Sequence, residues 1–297
     1  MTRAPDLSIV LASSHAWPEA EPTLRALLGA DAAVDFEVIL CAGGAAPPAG
    51  WGDERLSVLV APGESVFALR ARGVAQARGE IVAITEDHCI PEPDWPAALV
   101  SAHGRHPEAA ALAGAVANGA TANAWDWANF LMTFADHMRP IEGPATTRAP
   151  SVANGSFKRS LVGPTDAAAP GWLELDLMPR LVGAAAVARD GEPLVTHDQS
   201  HGGMRATLAA HFHNGRASAG LRVDRPGLAA ARAEWRRLAG LPWRLTRELH
   251  AALAVRPPLT GVAARGARLV PLAAAAHSIG ELTGLLRGPG ASAELLD

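Results

Sequence analysis

The stretch Gly79–Trp95, GEIVAITEDHCIPEPDW, constrains the fold more than any other part of this chain. Ile81-Val82-Ala83-Ile84 is a short, partly β-branched apolar run that stops at Glu86, Asp87 and His88. Pro91, Pro93 and Trp95 then break the pattern. A run this short, with turn formers on both sides, predicts a buried strand. In an open α/β sheet, ligands bind beyond the carboxyl ends of the strands. Two carboxylates and an imidazole at such an end suit a divalent cation, and the cation suits a phosphate.

The preceding residues supply the rest of such a sheet. Leu7 to Ala12 (LSIVLA), Phe36 to Leu40 (FEVIL) and Leu56 to Val60 (LSVLV) read as strands, the first followed by Ser13, Ser14 and His15. Pro22 to Leu28 starts as a helix with proline in its first turn. Ser65 to Arg78 keeps helical spacing through Val66, Leu69, Arg70, Gly73, Val74 and Ala77. This alternation predicts an α/β fold with a doubly wound, mainly parallel sheet and helices on both faces. Farther on, Ala109 to Val116 reads as a strand, and Ala122 to Asp136 as a helix or an irregular aromatic stretch. Residues 140–151 have the Pro-, Thr- and Gly-rich composition of a mobile loop. Val152 to Ser156 is a turn-bounded segment, Leu173 to Val187 a helix, and Leu194 to Thr196 a short strand ending at His197. From Gly227 the pattern is helical throughout.

Charge divides the chain. Residues 225–288 hold 10 Arg against Glu234, Glu248 and Glu281, whereas residues 1–224 are net acidic. We therefore expect a catalytic body at 1–224 and a helical, basic, amphipathic C-terminal region at 225–297. A basic tail on an acidic body points to an anionic membrane surface and away from nucleic acid. In that tail Trp235, Leu238, Leu241, Trp243, Leu245 and Leu249 interleave with Arg236, Arg237, Arg244 and Arg247, as in helices that lie in a membrane interface. A helical cap on the sheet or on a second subunit fits the same pattern. The run between Arg268 and Glu281 is 12 residues, short of the about 20 that a spanning helix needs. No basic-then-apolar signal segment opens the chain. Cys41 and Cys89 form no CxxC and no disulfide framework; they read as small buried residues of a reducing compartment.

The ordered motifs resemble the family 2 glycosyltransferases, which have the nucleotide-sugar-binding GT-A fold. Arg70-Ala71-Arg72-Gly73 stands where that family has its helix motif. Ala77 to Ile84 is similar to the family's approach to its metal motif, and Glu86-Asp87-His88 occupies the Asp-x-Asp position, followed by Pro91 to Trp95. Asn154-Gly155-Ser156 with Lys158-Arg159 resembles the acceptor-side loop, and Glu174 to Leu177 with Arg180-Leu181 the acidic catalytic helix. His197 falls where a strand-end histidine closes the site. The resemblance spans roughly residues 7–222. The chain departs from the pattern at three places. Cys41 replaces an Asp at the end of the second strand, the metal motif is Glu-Asp-His, and the acidic pair is reduced to leave Glu174.

The resemblance implies transfer of a sugar, hexosyltransferase-like, from a nucleoside diphosphate donor to a glycan or lipid-linked acceptor hydroxyl, with inversion. It implies Glu174 as the catalytic base, with Asp176 as its fallback. Ser13, Arg70, Asp87, Asn154 and Asp176 would contact substrate. Glu86, His88 and His197 would hold a divalent cation, Mn2+ or Mg2+. The setting is cytoplasmic, with peripheral contact at the inner membrane face. The residues also admit plainer roles: Glu86 to His88 as a solvated turn, Glu174 paired with Arg180, His197 satisfied by backbone, and Trp125 and Trp127 in a core. Two rival functions remain, a catalytically inactive nucleotide-sugar-binding or regulatory protein on this fold, and a nucleotidyltransferase.

Overall fold

The computed structural model describes residues 3–14, 17–31, 33–48, 50–144, 150–161, 171–184 and 186–295. Of the expectations above, His15 and the 145–149 part of the 140–151 stretch lie outside these residues. The chain divides into two compact units. One comprises residues up to Ala117 with Ile141–His197; the other comprises Asn118–Pro140 with the residues from Asp198 on. The expected 224/225 boundary falls inside the second unit.

The first unit is an α/β sheet protein. β1 (Leu7–Ser13), β2 (Phe36–Ala42), β3 (Leu56–Val60) and β4 (Ile81–Glu86) run parallel in the order β3-β2-β1-β4. β1, β2 and β4 are buried along their whole length, with Ser8 and Glu37 inside the apolar runs paired to each other at 2.6 Å, while β3 exposes Val58 and Val60. The register aligns Ala12 with Cys41 on one side and Glu86 on the other, so three strands end together. Antiparallel pairings follow, made through strands from the second half of the chain. β8 (Gly155–Lys158) joins β4 to β6 (Ala111–Asn118), and β9 (Val187–His197) pairs with β5 (Cys89–Pro91) and with β7 (Glu142–Pro144).

α1 (Glu21–Leu28), α2 (Val66–Gln76) and α3 (Trp95–Arg105) pack on this sheet. Ser65 caps α2, its hydroxyl accepting from the Ala68 amide. α2 lies close on β1 and β2 because Gly73 faces them: a Cβ there would strike Val10 and stand 2.9 Å from the Cys41 sulfur. The expected helix from Leu173 to Val187 is instead a π-helical turn, Trp172–Leu177, followed by the short α5 (Met178–Gly183); Val187 already begins β9.

The second unit is helical: α4 (Ala124–Phe134), α6 (Met204–Leu221), α7 (Leu228–Ala254) and α8 (Gly261–Arg287). Asn123 and Asp126 form a reciprocal capping box at the start of α4. α8 packs on α6 backbone to backbone, since a Cβ on Gly215, Gly280 or Gly284 would collide with main-chain carbonyls of the other helix. Gly266 lets the same helix approach α4 beside Trp127, which with Phe130 belongs to this packing. Buried Glu281 on α8 accepts from Arg222 at 3.0 Å, from His277 at 3.1 Å and from Arg237. Burial would raise its carboxyl, but these partners hold it down at about 2. By length and composition alone α8 is long and apolar enough to cross a membrane, and within this unit it packs against α4, α6 and α7.

Candidate functional site

The carboxyl end of β4 gathers the titratable side chains of the first unit. Glu86 ends the strand, Asp87 and His88 form the turn, and Cys89 opens β5. The antiparallel pairing of β5 with β9 sets Cys89 directly across from His197. A three-residue strand thus carries the last residue of β9 into contact with a motif more than a hundred positions earlier.

The histidines meet through their Nε2 atoms, 3.1 Å apart, with rings edge to face at 4.6 Å between centroids. Glu86 Oε2 lies 3.6 Å from His88 Nε2 and 4.0 Å from the Cys89 sulfur. One donor atom from each of Glu86, His88, Cys89 and His197 falls within a common 4.8 Å. Asp87 stands behind this group. Its Oδ1 accepts from His88 Nδ1 at 2.8 Å, its Oδ2 accepts from the Ser13 hydroxyl at 2.6 Å, and its carbonyl accepts from Thr23 at 2.7 Å. With Nδ1–H directed at a carboxylate, His88 presents an Nε2 lone pair to the cluster. Burial alone would depress the His88 imidazole, but the Asp87 hydrogen bond and the charge of Glu86 hold it above its usual value.

Arg70, one turn before Gly73 on α2, joins this group to Glu174. Its guanidinium donates to Glu86 Oε1 at 2.6 Å and to Glu174 Oε1 at 2.9 Å, with 5% of its side chain exposed. Burial works against the charge, and the two carboxylates restore it, leaving the guanidinium above its usual pKa. Glu174 sits in the π-helical turn, a backbone form common at functional sites. Its Oε2 is buried without a hydrogen-bond partner, so one oxygen is held by Arg70 and the other keeps its proton-accepting capacity. Glu86 and Glu174 share one guanidinium and Asp87 adds its charge nearby, so the carboxylates formally exceed the guanidinium by two charges.

The structure therefore brings together Glu86, Asp87, His88, His197, Ser13, Arg70 and Glu174. Ser13 and Arg70 are engaged by Asp87 and by the two glutamates, and both are buried, so neither is an open substrate contact. Asp176 is apart from the group, half exposed and paired with Arg180 at 2.9 Å. Asn154 departs furthest from its expected substrate role. It is fully buried, accepts from Trp95 Nε1 at 2.9 Å and donates to the Ala115 and Pro193 carbonyls. Gly114 makes room for it, since a Cβ there would overlap the amide. The amide stitches strands together, with both of its N–H donors spent on strand carbonyls. Lys158 pairs with Ile81, at the opposite end of β4 from Glu86, and its amine donates to the Pro107 carbonyl at 2.5 Å. Cys41, the penultimate residue of β2, is fully buried, its thiol pushed up to about 12 by burial. Cys89 is fully buried, as expected, and its place in the cluster was not anticipated from the sequence. The available signal was its position beside Glu86 and His88, a Glu-x-His-Cys run of metal-ligand residue types.

No protein-family model matches the chain, and no curated protein matches its sequence. Among solved structures it is similar to the 1–349 segment of S. aureus TarS, at 11% identity and TM-score 0.48, over 84% of this chain and 73% of that one. A second TarS structure is similar at 13% identity and TM-score 0.48, with 86% of this chain spanning 46% of that one. The mannosyltransferase PcManGT from Pyrobaculum calidifontis, solved in complex with GDP-Man and Mn2+, is similar at 16% identity and TM-score 0.52, over 95% of this chain and 88% of that one. At that identity the likeness establishes architecture, and the chain has an α/β, GT-A-like fold.

Proposed function

We propose that this protein transfers a sugar from a nucleoside diphosphate donor to an acceptor hydroxyl, with inversion, as a member of the family 2 glycosyltransferases. The observation that carries the reading is the convergence of Glu86, His88 and His197 at the end of β4, with Glu174 tied to them through Arg70. Glycosyl transfer needs a cation-assisted leaving group and a base for the acceptor, and these residues supply a place for both. The likeness to a mannosyltransferase that binds GDP-Man and Mn2+ supports it.

Glu86, His88 and His197 would hold a divalent cation, whose charge offsets the two excess negative charges and, as a Lewis acid, stabilises the departing diphosphate. Asp87 orients His88, and Ser13 and Thr23 fix Asp87. Glu174 takes the acceptor proton on its unpartnered oxygen. The acceptor oxygen bonds to the anomeric carbon as the carbon–phosphate-oxygen bond breaks, and the electron pair leaves with the diphosphate. Arg70 holds Glu174 in place.

A glycan or lipid-linked acceptor at an anionic inner membrane face fits α7. Arg232, Arg236, Arg244 and Arg247 are exposed with Trp243, which is 75% exposed, while the two acids of the helix are engaged by Arg237 and Arg244. Donor turnover across a panel of nucleotide sugars tests the reading. A donor should be consumed, and Glu174→Gln should bind it while losing about a hundred- to ten-thousand-fold in turnover. Full turnover by Glu174→Gln would remove the mechanism. Cys41 at the end of β2, in place of the family's Asp, favours a silent nucleotide-sugar-binding protein as the competitor. That reading predicts thermal stabilisation by nucleoside diphosphates and a cation with no donor consumed.

A further inference from the structure

The cation reading above was built on oxygen and nitrogen donors, yet a sulfur, that of Cys89, lies within the same 4.8 Å. We propose that Cys89 is a ligand of the same cation site and that the site takes zinc-class, borderline-soft ions in preference to Mn2+ and Mg2+. The inference rests on the proposed cation site but not on the transfer chemistry.

Three observations carry it. The first is geometry. A tetrahedral Zn2+ with bonds of about 2.0 Å to nitrogen and oxygen and about 2.3 Å to sulfur sets its donors roughly 3.3–3.7 Å apart. The separations here are 3.1 Å between the histidine nitrogens, 3.6 Å from His88 to Glu86 and 4.0 Å from Cys89 to Glu86. The remaining separations lie within 4.8 Å, so side-chain shifts of up to about 1 Å would close this shell. The second is donor chemistry. Mg2+ requires near-octahedral oxygen ligation, and carboxylate, carbonyl and water suit Mn2+, whereas two imidazoles, a thiolate and one carboxylate suit zinc. The third is the support behind the ligands. Asp87 accepts from His88 Nδ1 at 2.8 Å and is itself held by Ser13 at 2.6 Å, the carboxylate–histidine arrangement that orients metal-bound imidazoles.

Binding converts the Cys89 thiol to a thiolate, with its proton released to solvent, as zinc sites do. Glu86 is the exchangeable member. Its second oxygen already rests on Arg70 at 2.6 Å, so the carboxylate can turn fully onto the guanidinium and leave the fourth position to a donor phosphate oxygen. The ion would then be held by His88, Cys89 and His197.

The test uses the full chain stripped by chelator and titrated with Co2+ alone. The expected spectrum has the near-ultraviolet sulfur-to-cobalt charge-transfer band and the intense visible bands of a tetrahedral site. Equimolar Zn2+ should abolish both, while Mg2+ or Mn2+ in about a hundredfold excess should leave them. Cys89→Ser should lose the charge-transfer band and bind Zn2+ at least about tenfold more weakly, because loss of a ligand should cost no less than loss of an outer-shell partner. Cys41→Ser should keep the band. A wild-type cobalt complex without the band, or displacement of Co2+ by Mn2+ at equal concentration, overturns the proposal. The wild-type spectrum decides this even where Cys89→Ser does not fold. Donor turnover with Mn2+ and no thiolate band sinks the zinc proposal alone; a thiolate band with no turnover of any donor sinks the transferase reading alone.

Discussion

Arg70 is the most exposing residue to perturb, because one buried cation serves two carboxylates. Its side chain is 5% exposed, and those of Glu86 and Glu174 are 12% and 15% exposed. In Arg70→Met the apolar stem is replaced closely, but both carboxylates lose their partner inside the protein. Breaking a buried pair by removing one member costs about 3–5 kcal/mol, because the charge left behind is uncompensated. At about 2–4 °C per kcal/mol for units of 150–250 residues, the melting temperature should fall by on the order of 10 °C. The double variant Arg70→Met/Glu174→Gln removes one stranded charge, so its loss should be smaller than the sum of the single losses by about 1–3 kcal/mol. Arg70→Lys should fall between, since an ammonium cannot present two parallel donors to two acids. Thermal and urea unfolding of the wild type, Arg70→Met, Glu174→Gln and the double variant give the cycle. A shift below about 2 °C for Arg70→Met, or strict additivity in the double variant, would refute the bridging role.

Two further predictions concern the helical unit. His211 on α6 is buried, and burial first, then the nearby His277 and His201, depress its imidazole to about 3. It folds neutral, while the unfolded chain takes up a proton near the ordinary value of about 6.5. Stability should therefore fall as pH drops from 6.5 towards 3, by about 1.4 kcal/mol per unit from this group, and His211→Leu should show a shallower acid profile by one proton. Matching acid slopes for the two proteins would contradict it. On α7, exchanging Arg236, Arg244 and Arg247 for Ser should weaken sedimentation with phosphatidylserine vesicles by roughly a hundredfold, at about 1 kcal/mol per arginine. Unchanged vesicle binding would remove the membrane contact.

The parallel half of the sheet was legible because LSIVLA, FEVIL and IVAIT are short, mostly apolar runs between turn formers, the pattern of strands covered on both faces. β5 was not legible. Three residues ending in proline show no period, and only pairing with β9 makes them a strand. That pairing creates the cluster, so His88 and His197, 109 residues apart, could be linked in the sequence by motif order alone. The same holds for Arg70 and Glu174, 104 apart. Asn154 misled for the opposite reason. Its place in the motif order suggested a ligand contact, but the groups that occupy its amide come from Trp95, Ala115 and Pro193. Charge drew a boundary at 224/225, whereas packing groups α6 with α8, because glycines on facing helices carry no charge signal.

Calorimetric titration of the metal-stripped protein with a nucleoside diphosphate, with and without an added divalent cation, tests the central claim most directly. Glu86, His88 and His197 acting through a cation predict binding that tightens at least about tenfold when the ion is present and loses that gain in His88→Ala and His197→Ala. Equal affinity with and without the ion, or an undiminished gain in both variants, would contradict the account.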